Sequence, residues 1–149
     1  MSATRTRIAV VAVPLLLYLA SLVLPVVNDI KGAYALLGGF FAFILRDAWG
    51  AVWLANFAFA AAIILTFARP RLARWLALAA VAVASPSFTI HTIIANEGGG
   101  TTRATLSVGF YLWYAAFVAL TALLFAAGRA LRSPDDAPAQ ARHPEGQRG

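Results

Sequence analysis

Four long apolar stretches without an internal charge constrain the fold of this chain more than any other feature. They run from residue 8 to 27, 49 to 68, 75 to 95 and 106 to 127. Each approaches the roughly 20 residues that an α-helix needs to cross about 30 Å of hydrocarbon. Backbone amides find no water partner in lipid, and the runs lack the alternation of a membrane barrel. The sequence therefore predicts an all-α fold built as a bundle of four transmembrane helices.

The start of the chain needs a separate test, because Arg5 and Arg7 followed by an apolar run are also typical of a signal peptide. A small-x-small cleavage site is lacking, since Tyr18 and Leu22 occupy positions that would need small residues. We expect the first segment to be an uncleaved membrane anchor.

A shorter apolar stretch, residues 33–45, lies between the first two spans. Its roughly 13 residues are too few to cross a bilayer. A crossing here would also put the arginines after the second span opposite those before the first, against the charge bias that orients helices. We expect an additional short interfacial or re-entrant helix, hinged at Gly38 and Gly39.

Composition supports lipid as the solvent of this chain, with 61% hydrophobic and 12% charged residues and a mean hydropathy of +0.76. Its net charge of +6 comes without clustered basic residues and stacking aromatics, so no nucleic acid is expected as a partner. The absence of cysteine excludes disulfides and thiolate metal ligands. Residues 1–132 are predicted to form the membrane domain and residues 133–149, poor in apolar side chains, a disordered cytoplasmic tail.

The positions of the basic residues predict the orientation. If all four segments cross, one side receives nine basic residues, Arg5, Arg7, Arg69, Arg71, Arg74, Arg129, Arg132, Arg142 and Arg148. The other side receives three, Lys31, Arg46 and Arg103. Because the basic side stays in the cytoplasm, the expected location is a bacterial inner membrane, multi-pass, with cytoplasmic N- and C-termini.

A few polar and aromatic side chains within the spans are the candidate ligand-binding residues, and all lie towards the outer side. They are Trp53, Asn56, Ser87, His91, Tyr111 and Trp113. A carboxamide or imidazole facing lipid tails is costly unless it finds a partner, so these groups could line a small polar cavity. The alternative is structural: Asn56 as an interhelical hydrogen bond, His91 as an interfacial histidine and the aromatic residues as headgroup anchors.

Two further features concern helix packing. Alanines spaced four apart, including Ala73/Ala77 and Ala80/Ala84, permit close approach of neighbouring helices. Pro86 lacks a backbone N–H and predicts a kink in the third span.

Short motifs give this chain a resemblance to known proteins. "LP" at the end of the first span, "YALLGGFFAF", "WLANFAFAAA" and "GFYLWYAAF" resemble small, uncharacterised four-helix bacterial inner-membrane proteins that carry Trp-x-Ala-Asn and Gly-x-Tyr-Leu-Trp elements. The resemblance covers most of residues 20–120 and implies fold and location, but no catalytic residues. It also implies that Trp53, Asn56, Tyr111 and Trp113 belong to one site.

The expected function is that of a small integral membrane protein without a catalytic constellation, cofactor or metal. Such a protein would be an accessory or structural subunit or a homo-oligomer, with the lipid bilayer and a second copy or another membrane protein as partners. The alternative is a small-molecule or ion transporter or binder using an outer-leaflet pocket around Asn56, His91 and Tyr111, although a buried acid or base for coupling is lacking. An enzyme would have to use His91 with Ser87 or Tyr111, and we expect none.

Overall fold

The part of the chain described by the structure, a computed structural model, is residues 3–44, 50–89, 91–94 and 100–130. It is mostly helical. The elements in chain order are α1 (Ala3–Val23), β1 (Pro25–Val27), β2 (Ile30–Lys31), α2 (Gly32–Ile44), α3 (Gly50–Ala68), α4 (Pro70–Ala84), a 3₁₀ helix (Ser85–Thr89), β3 (Thr92–Ile94), β4 (Thr101–Arg103) and α5 (Val108–Ala130). The predicted tail, residues 133–149, lies outside the described residues, as do Arg46 and Arg132.

Three described helical segments are long and apolar enough to cross a membrane: Gly50–Ala68, Pro70–Thr89 and Val108–Arg129. The apolar parts of α1 and α2, Arg7–Val23 and Gly32–Ile44, are shorter. The second, third and fourth predicted spans thus have helices of sufficient length. The first predicted span has a helix, α1, whose apolar part is shorter than these three segments.

Two helices begin or end at other residues than the predicted spans, because prolines decide these limits. The third span was predicted over residues 75–95, but its helix begins at Pro70, whose fixed φ suits the first helical position, and its 3₁₀ end stops at Thr89. The first span was predicted to reach residue 27, but α1 stops at Val23, and Pro25 begins a strand.

The end of α4 responds to Pro86 by changing from α to 3₁₀ geometry at Ser85. Pro86 has no N–H to donate to the preceding turn. The Ser85 hydroxyl adds a bond to the Val81 carbonyl oxygen at 2.8 Å, which also accepts the Ser85 backbone N–H. The predicted disturbance therefore occurs as a tightened final turn, after which the chain extends into β3.

Residues Gly32–Ile44 form one continuous helix, α2. The hinge predicted at Gly38 and Gly39 is therefore wrong. A Cβ atom on Gly39 would lie 2.7 Å from Cδ1 of Trp53, so this glycine lets α2 approach the indole on α3. Its role is close contact between two helices.

The long helices run antiparallel, with α1 packed on α5, α3 on α4, and α4 on α5. Arg7 Nη1 donates to the Phe67 carbonyl oxygen at 3.1 Å, which places the start of α1 beside the end of α3. Gly128 near the end of α5 contacts the guanidinium of Arg74 near the start of α4. One end of the bundle thus gathers the starts of α1 and α4 and the ends of α3 and α5.

The alanine seam of α4 forms part of the core, as its spacing predicted. Ala73, Ala77, Ala80 and Ala84 are all 0% exposed. Their spacing of three and four residues puts them on one helix face, where small side chains permit close backbone approach. They belong to the same buried cluster as Phe117 of α5.

The opposite end of the bundle carries two small hairpins that the all-α expectation did not include, β1 with β2 and β3 with β4. Asn28 lies in the turn of the first hairpin with φ of 49°, a left-handed conformation that Asn tolerates. Its Oδ1 accepts from the Thr105 N–H at 2.9 Å, and its Nδ2 donates to the Arg103 carbonyl oxygen at 3.2 Å. One side chain therefore ties the first hairpin to the strand that precedes α5.

We expect replacement of Asn28 to separate these two contributions. Asn28→Gly keeps the left-handed turn but loses the side-chain bonds, and should lower the free energy of unfolding by about 1 kcal/mol. Asn28→Ala also carries the backbone cost and should lower it by about 2–3 kcal/mol. Thermal unfolding in detergent measures both losses. Equal losses in the two variants would show that the left-handed conformation of residue 28 adds no backbone cost for Ala.

Candidate functional site

The polar centre of the bundle is the Asn56 carboxamide, on the inner face of α3. Its Oδ1 accepts hydrogen bonds from the Tyr18 hydroxyl at 3.0 Å and from Trp113 Nε1 at 2.9 Å. Its Nδ2 donates to the Trp53 carbonyl oxygen at 3.0 Å. An indole N–H can only donate, so the amide oxygen must face Trp113, which fixes the orientation of the amide. One side chain thus joins α1, α3 and α5.

Aromatic rings enclose this junction on its core side. Tyr18 stacks on Phe59 with centroids 5.1 Å apart, and Phe117 lies 4.9 Å from Phe59 and 4.7 Å from Trp113. Phe117 and Phe59 are almost fully buried. In this low-dielectric surrounding each of the three hydrogen bonds is stronger than in water, and each unmet donor would be more costly.

Trp53 connects the same region to α2. Its Nε1 donates to the Leu36 carbonyl oxygen at 2.7 Å. Its ring lies 5.1 Å from Phe40 of α2 and 4.6 Å from Phe57 of α3. The Trp53 indole therefore links α3 to the short helix α2 through its N–H and through its ring contact with Phe40.

A cavity of about 180 Å³ lies next to this junction, in the half of the bundle that carries the hairpins. Its walls come from α1, β1, α2, α3, the 3₁₀ helix, Leu106 and the start of α5. None of the described residues that line it is charged, and its polar side chains are Tyr18, Ser21, Trp53, Asn56, Ser87 and Trp113. The cavity is thus an apolar space with a few hydrogen-bonding groups.

The Ser87 hydroxyl differs from the polar groups around it, because it has no hydrogen-bond partner among the described residues. Its side chain is 3% exposed, lines the cavity, and has no hydrogen-bond partner for Oγ among the described residues. A buried hydroxyl without a partner costs about 1–3 kcal/mol. Ser85, two residues earlier, is paired both with the Val81 carbonyl and with the Tyr114 hydroxyl at 3.1 Å.

Four of the six predicted site residues come together in the lining of this cavity: Trp53, Asn56, Ser87 and Trp113. Tyr111 does not. It is 54% exposed and contacts the edge of Phe110. Residues two apart on a helix face nearly opposite ways, so with Trp113 inside, Tyr111 points out.

His91 also lies outside the cavity lining, and it is exposed. Its prediction as a site residue assumed a helix that continues past Ser87, which would put the two side chains on one face. The helix ends at Thr89, and the His91 carbonyl oxygen instead accepts from the Ala104 N–H at 2.9 Å, beside the second hairpin. The base that could have served Ser87 or Tyr111 is therefore not in the cavity.

Several contributors to the site were missed in the sequence, among them Tyr18, Phe110 and Gly109. Tyr18 could have been found by the criterion that selected Asn56, since it is a hydrogen-bonding side chain within an apolar run. Phe110 carried no polar signal. Gly109 lies where a Cβ atom would be 2.6 Å from the Pro25 carbonyl oxygen, so only glycine lets the start of α5 approach β1 this closely.

Comparison with models of known protein families, with curated proteins and with solved structures finds no match for this chain. Within the described ranges, no group of three or more His, Cys, Asp or Glu residues could hold a metal ion. The site must therefore be interpreted from its own geometry.

We expect Tyr18→Phe to remove one hydrogen bond of the junction while keeping the ring stack on Phe59. The variant should lose about 0.5–1.5 kcal/mol of unfolding free energy, measured by denaturation in detergent. Tyr34→Phe is the matched control, because Tyr34 is 69% exposed, and it should change nothing. Equal stability of the Tyr18→Phe variant and the wild type would show that the bond contributes nothing.

Proposed function

We propose that this protein is a four-span integral protein of a bacterial inner membrane, with cytoplasmic termini and a structural rather than enzymatic role. It would act as an accessory subunit or as a homo-oligomer. The observation that carries the proposal is the Asn56 carboxamide, whose oxygen and nitrogen are both bonded to protein groups from three helices. A side chain whose hydrogen-bonding groups are used in this way stabilises the packing of the helices.

The outward surface of the helices supports the membrane setting. Large apolar side chains project outwards on α1, α2, α3 and α4: Leu16, Phe41, Ile64 and Trp75 are each at least 60% exposed. Soluble monomers rarely expose contiguous apolar surface on this scale, whereas lipid tails accommodate it.

Three observations support α1 as the fourth span. Its apolar part, Arg7–Val23, would extend about 25 Å at 1.5 Å per residue, near the lower limit for crossing. It packs against α5, a helix of spanning length. The bond from Arg7 to the Phe67 carbonyl oxygen also places its start level with the end of α3.

The distribution of arginines supports the orientation. The end of the bundle where α1 and α4 start holds six described basic residues, Arg5, Arg7, Arg69, Arg71, Arg74 and Arg129. The hairpin end holds Lys31 and Arg103, together with Asp29. Insertion retains the more basic end in the cytoplasm, which puts the hairpins and the cavity on the outer side.

A second candidate function is the binding of a small molecule, and the cavity beside Asn56 favours it. The buried Ser87 hydroxyl, without a partner among the described residues, is a group that packing alone does not explain. Catalysis has less support, since His91 is away from this hydroxyl and no described charged residue lines the cavity.

The topology can be tested with single cysteines, because the chain has none of its own. We expect a membrane-impermeant maleimide to label Asp29→Cys in intact spheroplasts. Ala3→Cys and Arg71→Cys should be labelled only after permeabilisation, since both lie at the basic end. Labelling of Ala3→Cys from outside would mean that α1 does not cross, and the reverse pattern throughout would invert the orientation.

The structural role predicts that Asn56→Ala destabilises the bundle by about 1–3 kcal/mol, because the half-buried Tyr18 hydroxyl and Trp113 N–H lose their acceptor. Asn56→Asp should be worse, because it keeps the acceptor oxygens but places a carboxyl group inside the bundle and turns one of its oxygens towards the Trp53 carbonyl oxygen that the amide N–H had bonded. Denaturation in detergent measures both variants.

Thr121→Ala is the control for this experiment, because among the described residues the Thr121 hydroxyl bonds only to the Phe117 carbonyl oxygen of its own helix. It should have little effect. If Asn56→Ala proves as stable as the control, the structural role is wrong. The size of the purified wild-type particle is a separate measurement. It distinguishes a homo-oligomer from a subunit that requires a different partner.

A further inference from the structure

We infer that the outer cavity binds a neutral, membrane-soluble small molecule made of one ring with a single hydroxyl or carbonyl substituent. This inference rests on the second candidate function above and adds the chemical class of the ligand. Three properties of the cavity carry it: its volume, the absence of charge in its described lining, and the placement of its polar groups.

The volume sets the size of the ligand. At about 180 Å³, the cavity is slightly larger than an engineered protein cavity of about 150 Å³ that binds benzene. A six-membered ring with one or two small substituents fits such a space.

The lining sets the charge of the ligand. Side chains such as Leu22, Val26, Val52 and Phe110 surround most of the space, and no described lining residue is charged. An ion would lose its hydration here without gaining a counter-charge, which costs far more than such a site returns. The ligand must therefore be neutral.

The polar groups set the ligand's functional group. The Ser87 hydroxyl lines the cavity and has no partner among the described residues. Asn56 has two amide hydrogens, and the hydrogen bonds of the described residues use one of them, to the Trp53 carbonyl. Both groups can donate, so an oxygen acceptor on the ligand would be recognised.

A pure hydrocarbon is disfavoured by the same groups. The end of a lipid acyl chain could fill the volume, but it would leave the Ser87 hydroxyl without a partner. Discrimination between a polar ring and its hydrocarbon isostere is therefore the property that identifies this site. Sites built to hydrogen-bond a ligand reject the analogue that lacks the bonding group.

The test uses 4-fluorophenol and its near-isostere 4-fluorotoluene, each titrated into the full-length protein in detergent and followed by ¹⁹F NMR. We expect saturable binding of 4-fluorophenol above its partition into empty micelles, and weaker binding of 4-fluorotoluene. Non-saturable behaviour of the phenol, equal to partition into protein-free micelles, would overturn the inference.

Two variants connect binding to the cavity. Ser87→Ala should weaken 4-fluorophenol binding by about three- to tenfold and leave 4-fluorotoluene unchanged, as expected for one lost hydrogen bond. Ala35→Leu, which adds bulk at a lining position of α2, should abolish both. Thr89→Val is the matched control, because its hydroxyl is exposed, bonds to the Pro86 carbonyl oxygen and lies outside the lining.

A purely structural role for Ser87 makes a different prediction. If the hydroxyl served packing, Ser87→Ala would lower the melting temperature and leave phenol binding unchanged, which would overturn the inference. A ligand-facing hydroxyl predicts weaker phenol binding with an unchanged or raised melting temperature. Failure here is distinguishable from failure of the proposed topology or of the Asn56 role, because cysteine labelling and Asn56→Ala stability involve no probe.

Discussion

Hydrogen-bonding groups that lie away from water must find partners inside the protein, and this requirement organises the bundle. The backbone meets it through helices. Among the side chains, Asn56 offers two acceptor positions and two amide hydrogens; it accepts from Tyr18 and Trp113 and donates to the Trp53 carbonyl oxygen. Each of these bonds is worth only about 1 kcal/mol. Their main effect is to fix the relative positions of the helices, since a rotation or shift of α1, α3 or α5 would break at least one of these bonds.

The close packing of the bundle follows from residues that lack bulk. The alanine seam of α4 allows it to lie against two neighbouring helices, and Gly109 allows α5 to start against β1. Lipid tails are as apolar as leucine, so hydrophobicity alone gives helices in a membrane no reason to associate. In this bundle the attraction between helices comes from two sources. Close contact contributes dispersion, and the Asn56 side chain contributes directional hydrogen bonds.

The sequence predicted what depends on local composition, and it missed what depends on distant contacts. Length and hydropathy predicted helices for the last three spans, and the polarity of Asn56 and Ser87 within apolar runs predicted two members of the cavity lining. The hairpins were missed, because Asn28 acquires its partners from residues 103–107, far along the chain. His91 was predicted to lie on a helix because the third apolar run continues to residue 95, whereas the helical segment ends at Thr89.

Asn56 and Ser87 line the same cavity and differ in how their bonding capacity is met. Asn56 is held by protein groups on both sides of its amide, which fixes the direction of its second amide hydrogen. Ser87 is buried, and its hydroxyl has no partner among the described residues. A site that binds through preorganised groups loses little entropy on binding, while an unmet donor adds enthalpy only when a ligand supplies the acceptor. A structural junction and a binding cavity can therefore share one carboxamide without conflict, because the bonds that fix the helices also fix the group that the ligand would meet.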